Sequence, residues 1–195
     1  MAKLYFRYGA MNSGKTTLLL QTAHNYEESN MKVIIVKPKV DTKGKEKIVS
    51  RIGVERKVDL ILKENDNLFE IVKKKYKDVS CVLVDEAQFL TEEQVDSAMN
   101  IVLDLDIPVI CYGLRTDFLT NGFPGSTRLL QIAHTIEEMK TICRCGRKSI
   151  YNARYVDGKF TIKGEQVAID GEGEVTYISM CGKCYNSEKK KFAKK

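Results

Sequence analysis

Gly9-Ala10-Met11-Asn12-Ser13-Gly14-Lys15-Thr16 follows the pattern G-x-x-x-x-G-K-[ST], a set of residue types suited to holding a chain of phosphates. The glycines let the backbone fold into a nest whose N–H groups point inward at phosphate oxygens. Lys15 brings a point charge to the β- and γ-phosphates, and the Thr16 hydroxyl is placed to ligate Mg²⁺. Farther along, Asp85-Glu86 closes an apolar run. Asp85 suits a magnesium ion that bridges phosphates, reached through water because Mg²⁺ keeps much of its hydration shell. Glu86 projects one residue farther, where a carboxylate can take a proton from an attacking hydroxyl or water. A helix N-cap or a solvated acidic turn is the other reading of the pair, and the phosphate loop upstream decides against it.

Two close cysteine pairs form a second constellation, Cys143-x-Cys145 and Cys181-x-x-Cys184. The later pair has the spacing of a zinc knuckle, and the earlier one is a residue tighter. Four buried thiols are the alternative, but turns containing Gly146 and Gly182 are poor places to bury anything. Structural Zn²⁺ is therefore the expectation, since a closed four-sulfur shell leaves no open position for catalysis. Cys81 and Cys111 lie inside apolar runs and read as packed core thiols.

These residues need a frame to hold them. Leu4 to Tyr8 reads as a strand feeding the phosphate loop, and Thr17 to Glu28 as the helix that leaves it and lends its positive end to the phosphates. Val33 to Val36, Cys81 to Val84 and Pro108 to Tyr112 are short continuous apolar runs of the kind found in buried parallel strands. The strand ending in Asp85 is expected to lie beside the phosphate-loop strand. Val58 to Leu62 is a further strand candidate, and residues 67–76 and 126–133 have helical character. Thr91-Glu92-Glu93-Gln94 is a capping-box signature for a helix running to about Leu103. Residues 37–53 read as a mobile loop. Alternating strands and helices predict an α/β fold with a mostly parallel sheet, flanked by helices and joined by right-handed crossovers. Ligands in such sheets bind beyond the strand C-termini, so Phe89, Phe118 and Phe123 are candidates to line a pocket there.

From about Thr141 the chain turns glycine-rich and loses helical periodicity, which predicts a nucleotide domain over 1–140, a small metal-stapled lobe over 141–188, and a tail over 189–195. Of the net charge of +6, most comes from five lysines in that tail, read as solvated and disordered. At 43% hydrophobic residues the chain can build a core, yet no apolar run approaches the length of a membrane span. It begins directly in a strand with no apolar leader, so a cytoplasmic location is expected, and six cysteines there read as thiols or metal ligands.

The loop containing Met11, the segment Asp85-Glu86-Ala87-Gln88-Phe89, the segment Tyr112-Gly113-Leu114-Arg115-Thr116-Asp117-Phe118 and the cysteine pairs enclosing a glycine-rich stretch together resemble the type II thymidine kinase family, over residues 4 to 185. The resemblance implies a P-loop (RecA-like) core and transfer of the γ-phosphate of ATP to the 5′-hydroxyl of thymidine. It implies Glu86 as catalytic base and Asp85 as magnesium residue, with Gln88 beside the ATP phosphates. It also implies a loop that closes over the nucleoside. Met11, Phe89, Leu114, Phe118, Phe123 and Tyr177 would surround the base, Val167, Ala168, Ile169, Asp170 and Gly171 would offer it backbone groups, and Asp41 would lie near the sugar. A homotetramer and inhibition by thymidine triphosphate are further implications. The chain departs from the family in carrying Lys43 where arginine is usual, losing bidentate geometry, and in its tight first cysteine pair.

Asp85-Glu86-Ala87-Gln88 also looks like a helicase DExx box, which would make the chain a nucleic-acid-stimulated ATPase. A helicase needs two ATPase lobes, and 195 residues leave no room for the second. Neither nucleic acid nor membrane is expected as a partner.

Overall fold

The computed structural model describes residues 1–39, 47–50, 53–166 and 174–194. Its centre is a six-stranded sheet built from β1 (Leu4–Tyr8), β2 (Lys32–Pro38), β5 (Leu60–Leu62), β6 (Val79–Val84), β7 (Val109–Gly113) and β8 (Thr135–Glu138), while β3 (Lys47–Val49) and β4 (Glu55–Lys57) pair apart from it. The spatial order is β5-β2-β6-β7-β1-β8, and every pairing between these strands is parallel.

The central strands β2, β6 and β7 are buried along most of their length, which is why they read as continuous apolar runs. Alternation along each strand divides the side chains between two cores. Leu4, Phe6, Ile34, Val36, Val82, Val84, Val109 and Cys111 pack on one side, against α2 (Leu68–Lys75), α3 (Glu92–Leu105) and α4 (Pro124–Ile132). Val33, Ile35, Cys81, Leu83, Ile110 and Tyr112 pack on the other, against α1 (Lys15–Glu28). Burial pushes the thiols of Cys81 and Cys111 up to about 12, so both stay protonated packing groups.

Local chemistry sets the helix starts. Thr91 caps α3 in a full capping box with Gln94, and Asn67 caps α2 through the backbone N–H of Glu70. Helix α4 begins at Pro124, earlier than its apolar spacing indicates, because proline suits the first helical position.

Four expectations need correcting. The strand that ends in Asp85 does not lie beside the phosphate-loop strand, for β7 stands between β6 and β1. The stretch read as a loop over 37–53 contains the end of β2 and all of β3, whose Ile48 is anchored in the α1-side core. The glycine-rich region holds a three-stranded antiparallel sheet of β9 (Tyr151–Val156), β10 (Lys159–Thr161) and β11 (Val175–Met180). Finally, the lysine tail is not disordered from 189. Helix α5 (Gly182–Phe192) carries Lys189, Lys190 and Lys191 in its last turn, where cations meet its negative end, and Phe192 packs edge-on against Phe160.

Gly125, in the first turn of α4, lies against the 3-10 turn Ala87–Phe89. A Cβ there would fall 2.6 Å from the Leu90 carbonyl oxygen and 2.7 Å from that of Ala87. Neither atom is a side-chain end that can swing away. Gly125→Ala is therefore expected to cost about 1–3 kcal/mol, read as a fall in melting temperature of about 2–4 °C per kcal/mol. An unchanged melting curve would show that turn and helix separate freely.

Candidate active site

The phosphate loop runs from the end of β1 into α1. Asn12 (φ 65°) and Gly14 (φ 78°) are both left-handed, and Gly14 serves as the N-cap of α1. No acidic residue stands in the first turn of that helix, so its positive end is not cancelled locally. The Gly9 N–H donates to the Gly113 carbonyl at 3.3 Å. The Lys15 ammonium curls back over the loop, 3.2 Å from the Gly9 oxygen, 2.9 Å from the Ala10 oxygen and 3.3 Å from Ser13 Oγ. The ammonium thus sits at the mouth of the backbone nest, where an anion would meet the charge and the N–H groups together.

Asp85 follows β6 directly and is 5% exposed. Burial, and next the neighbouring Glu86 carboxylate, hold its carboxyl well above the usual range, while Lys37 and Lys15 pull in the opposite direction. A buried carboxylate whose charge is only partly offset is a hard oxygen donor, and that chemistry fits Mg²⁺. Thr16 stands in the first turn of α1, on the loop side. Glu86 has left-handed backbone (φ 53°) and caps the 3-10 turn that carries Gln88. Its carboxylate accepts from Gln88 Nε2, and Gln88 Oε1 accepts from the Leu114 N–H at 3.0 Å. Gln88, 1% exposed, thus ties Glu86 to the end of β7. Gly113 makes room for it, since a Cβ there would lie 2.9 Å from Gln88 Oε1.

Beyond these groups stand the aromatic walls. Phe89 and Phe123 meet edge to face with centroids 5.6 Å apart, and with Gln88, Pro124 and Gln166 they line a cavity of about 400 Å³. Leu114 and Phe118 are buried, and Met11 is half-buried in the loop. Tyr177 lies on β11, its hydroxyl 3.0 Å from Arg154 Nε. Asp41, Lys43 and Val167, Ala168, Ile169, Asp170 and Gly171 lie outside the described residues.

The cysteine pairs converge. All four sulfurs lie within 4.8 Å of one another, and those of Cys145 and Cys181 are 3.6 Å apart. A tetrahedral zinc–thiolate site, with Zn–S of about 2.3 Å, sets its sulfurs ~3.8 Å apart, so the cluster fits that metal. The first pair is closed by a hairpin in which the Cys143 N–H donates to the Arg147 carbonyl at 2.7 Å. The Arg147 N–H, and after it the Cys181 and Cys184 thiols, pull Cys145 down to about 6. Cys184, crowded by Cys145, Cys181 and Cys143, is pushed up to about 12. Four sulfurs competing for protons in this way are a ready ligand set for a dication.

A family model described as thymidine kinase matches residues 2–185. The chain belongs to the thymidine kinase family. It is 45% identical to the thymidine kinase of Chromobacterium violaceum over 190 residues, which is 96% of this chain and all of the relative. It is equally identical to that of Enterobacteria phage T4, over 98% of this chain and 99% of the relative. With the enzyme of Rhodopirellula baltica it shares 49% identity, over 93% and 86%. Membership makes the chain a phosphotransferase, and no helix among the described residues is long and apolar enough to cross a membrane.

The structure also gathers residues the sequence did not single out. Arg154 is fully buried, its guanidinium 3.9 Å from the centre of the Phe118 ring, with Nη1 and Nη2 unpartnered. The Tyr185 hydroxyl donates to the Phe118 carbonyl at 2.6 Å. Gln166 Nε2 donates to Asp117 Oδ2 at 3.1 Å, while Asp117 Oδ1 accepts from the N–H groups of Leu119 and Asn121. Asn152 and Ser179 reach the phosphate loop itself. A usable signal was present: in a strand of period two, Asn152 and Arg154 must share one face, but the strand was hidden among turn residues.

Metal analysis of the purified protein is expected to find about one zinc per chain. Cys181→Ser should lose the metal and the order of β9–β11 together. Zinc-free protein with four titratable thiols in this lobe would reject the assignment.

Proposed function

We propose that the chain transfers the γ-phosphate of ATP to the 5′-hydroxyl of thymidine. The observation that carries this reading is Glu86, held by Gln88 at the edge of the sheet where the phosphate loop opens, one residue beyond the buried Asp85. In this reading the loop N–H groups and Lys15 hold the triphosphate. Thr16 and Asp85 hold Mg²⁺, which neutralises charge on the phosphates when bound. Glu86 accepts the proton of the 5′-hydroxyl as its oxygen bonds to the γ-phosphorus. The bond from that phosphorus to the β,γ-bridging oxygen breaks and ADP leaves. Residues 1–140 serve as the nucleotide domain and 141–188 as a lid that excludes competing water.

The base lies among Met11, Phe89, Leu114, Phe118, Phe123 and Tyr177, with Val167 to Gly171 reading its edge through backbone groups and Asp41 near the sugar. The enzyme works in the cytoplasm as a homotetramer in nucleotide salvage. It is inhibited by thymidine triphosphate, whose base fits the same pocket while its phosphates reach toward the loop.

Glu86→Gln is expected to retain ATP binding and to lose turnover by roughly 10²-fold or more, the scale of a general base. Near-normal turnover would sink its assignment.

A nucleoside panel with ATP and Mg²⁺, read by product phosphorylation, tests the whole reading. Fixed backbone donors and acceptors reject a cytosine, which leaves buried polar groups unpaired, whereas a missing methyl is worth only about 1–3 kcal/mol. Thymidine and deoxyuridine should both react, deoxyuridine more weakly, with deoxycytidine nearly excluded and thymidine triphosphate inhibitory. Equal phosphorylation of deoxycytidine would overturn the pocket. ATP hydrolysis stimulated by DNA or RNA and not by thymidine would overturn the kinase reading itself.

A further inference from the structure

The sheet of the small lobe has two chemically different faces. In the antiparallel pairing of β9 with β11, Asn152 stands opposite Ser179 and Arg154 opposite Tyr177. Alternation sends Tyr151, Ala153, Tyr155, Ile178 and Met180 into the lobe's own core. Asn152 and Ser179 lie on the other face, 3% and 7% exposed. Both reach one residue of the phosphate loop. The Met11 N–H donates to Asn152 Oδ1 at 2.7 Å, and Ser179 Oγ donates to the Met11 carbonyl. Thr141 Oγ1 donates to the next carbonyl, that of Asn12, at 3.3 Å. A cross-strand pair of side chains therefore satisfies both backbone groups of a loop residue, as an adjacent strand would.

We propose that Asn152 and Ser179 are positioning residues for the phosphate loop, which make triphosphate affinity depend on the small lobe. The proposal rests on the reading of Gly9 to Thr16 as the ATP site. The physical reason lies in the loop's own conformation. It needs left-handed backbone at Asn12, a non-glycine residue, directly after Met11, and such conformations persist only where the surroundings over-determine them. Fixing the peptides on both sides of Met11 sets that turn before the ligand arrives, so less ordering cost is left to binding. The lobe's cysteine cluster and its aromatic core hold β9 against β11, keeping the two side chains at the right separation.

Calorimetry of the full chain with MgATP, without nucleoside, tests this. Asn152→Ala and Ser179→Ala are each expected to raise the Kd for MgATP about tenfold, the scale of one lost hydrogen bond with its partner left unpaired. Turnover at saturating ATP should stay within about threefold of the wild type, a KM effect rather than a kcat effect. Ser179→Thr keeps the hydroxyl and should keep the affinity. A separate measurement on the unmodified protein avoids any folding defect: the Met11 amide should exchange with solvent as slowly as a strand amide, although it lies in a loop. Alanine variants that bind MgATP like the wild type would overturn the proposal, as would a threonine variant as weak as alanine or a Met11 amide exchanging at an unprotected rate. Wild-type protein that binds no MgATP at all would instead overturn the reading of Gly9 to Thr16 as the ATP site, so the two failures are told apart.

Discussion

Gly9 has no room for a side chain, and the site depends on it. A side chain there would begin 2.4 Å from Ser13 Oγ and 2.5 Å from the Met139 carbonyl. The crowding follows from the sheet. β1 lies between β7 and β8 with all three parallel, so the chain leaving β1 passes between the ends of its neighbours. Its N–H bonds to Gly113 at the end of β7, while the Met139 N–H, just past β8, bonds to Tyr8 at 2.7 Å. Only a residue without Cβ can make that passage and then curl back tightly enough for Lys15 to reach the carbonyls of Gly9 and Ala10.

The same parallel arrangement gathers the acidic groups. Strands that run one way end at one edge, so Asp85 after β6 and Leu114 after β7 share that edge with the phosphate loop. Two carboxylates in sequence repel, and burial makes the repulsion costlier. The molecule separates their surroundings. Asp85 is buried, with Lys37 and Lys15 offsetting part of its charge, and Glu86 is turned by a left-handed residue conformation toward the amide of Gln88. Gln88 carries no charge, so it orients a carboxylate without neutralising it. A lysine in its place would pair with Glu86 and neutralise it.

The small lobe has a small core of its own. Its core is Cys143, Ala153, Met180, Cys181 and Tyr185 with a few half-buried aromatics around them, and small cores of this kind commonly depend on a metal or disulfides. The cysteine cluster stands at the end of the sheet where β11 meets α5. From there the lobe's polar face spans the phosphate loop at Met11 and the ring of Phe118 through Arg154. One small sheet therefore touches both the phosphate side and the aromatic side of the site.

Much of this was legible in the residues alone, and the division has a physical cause. Local patterns carry local structure: the phosphate loop, the capping box at Thr91, the buried strands around Val36, Val84 and Cys111, and the paired cysteines all announce themselves within a few residues. Contacts between residues distant in sequence do not. That β7 separates β6 from β1, that Gly113 is glycine because Gln88 needs the space, and that β9 is a strand at all are set by partners far along the chain. Asn152 and Ser179 show the limit most clearly. Each is an ordinary polar residue in its own segment. They acquire a role only when antiparallel pairing sets them opposite one another and tertiary packing brings the pair against Met11, from which they are separated by 141 and 168 residues.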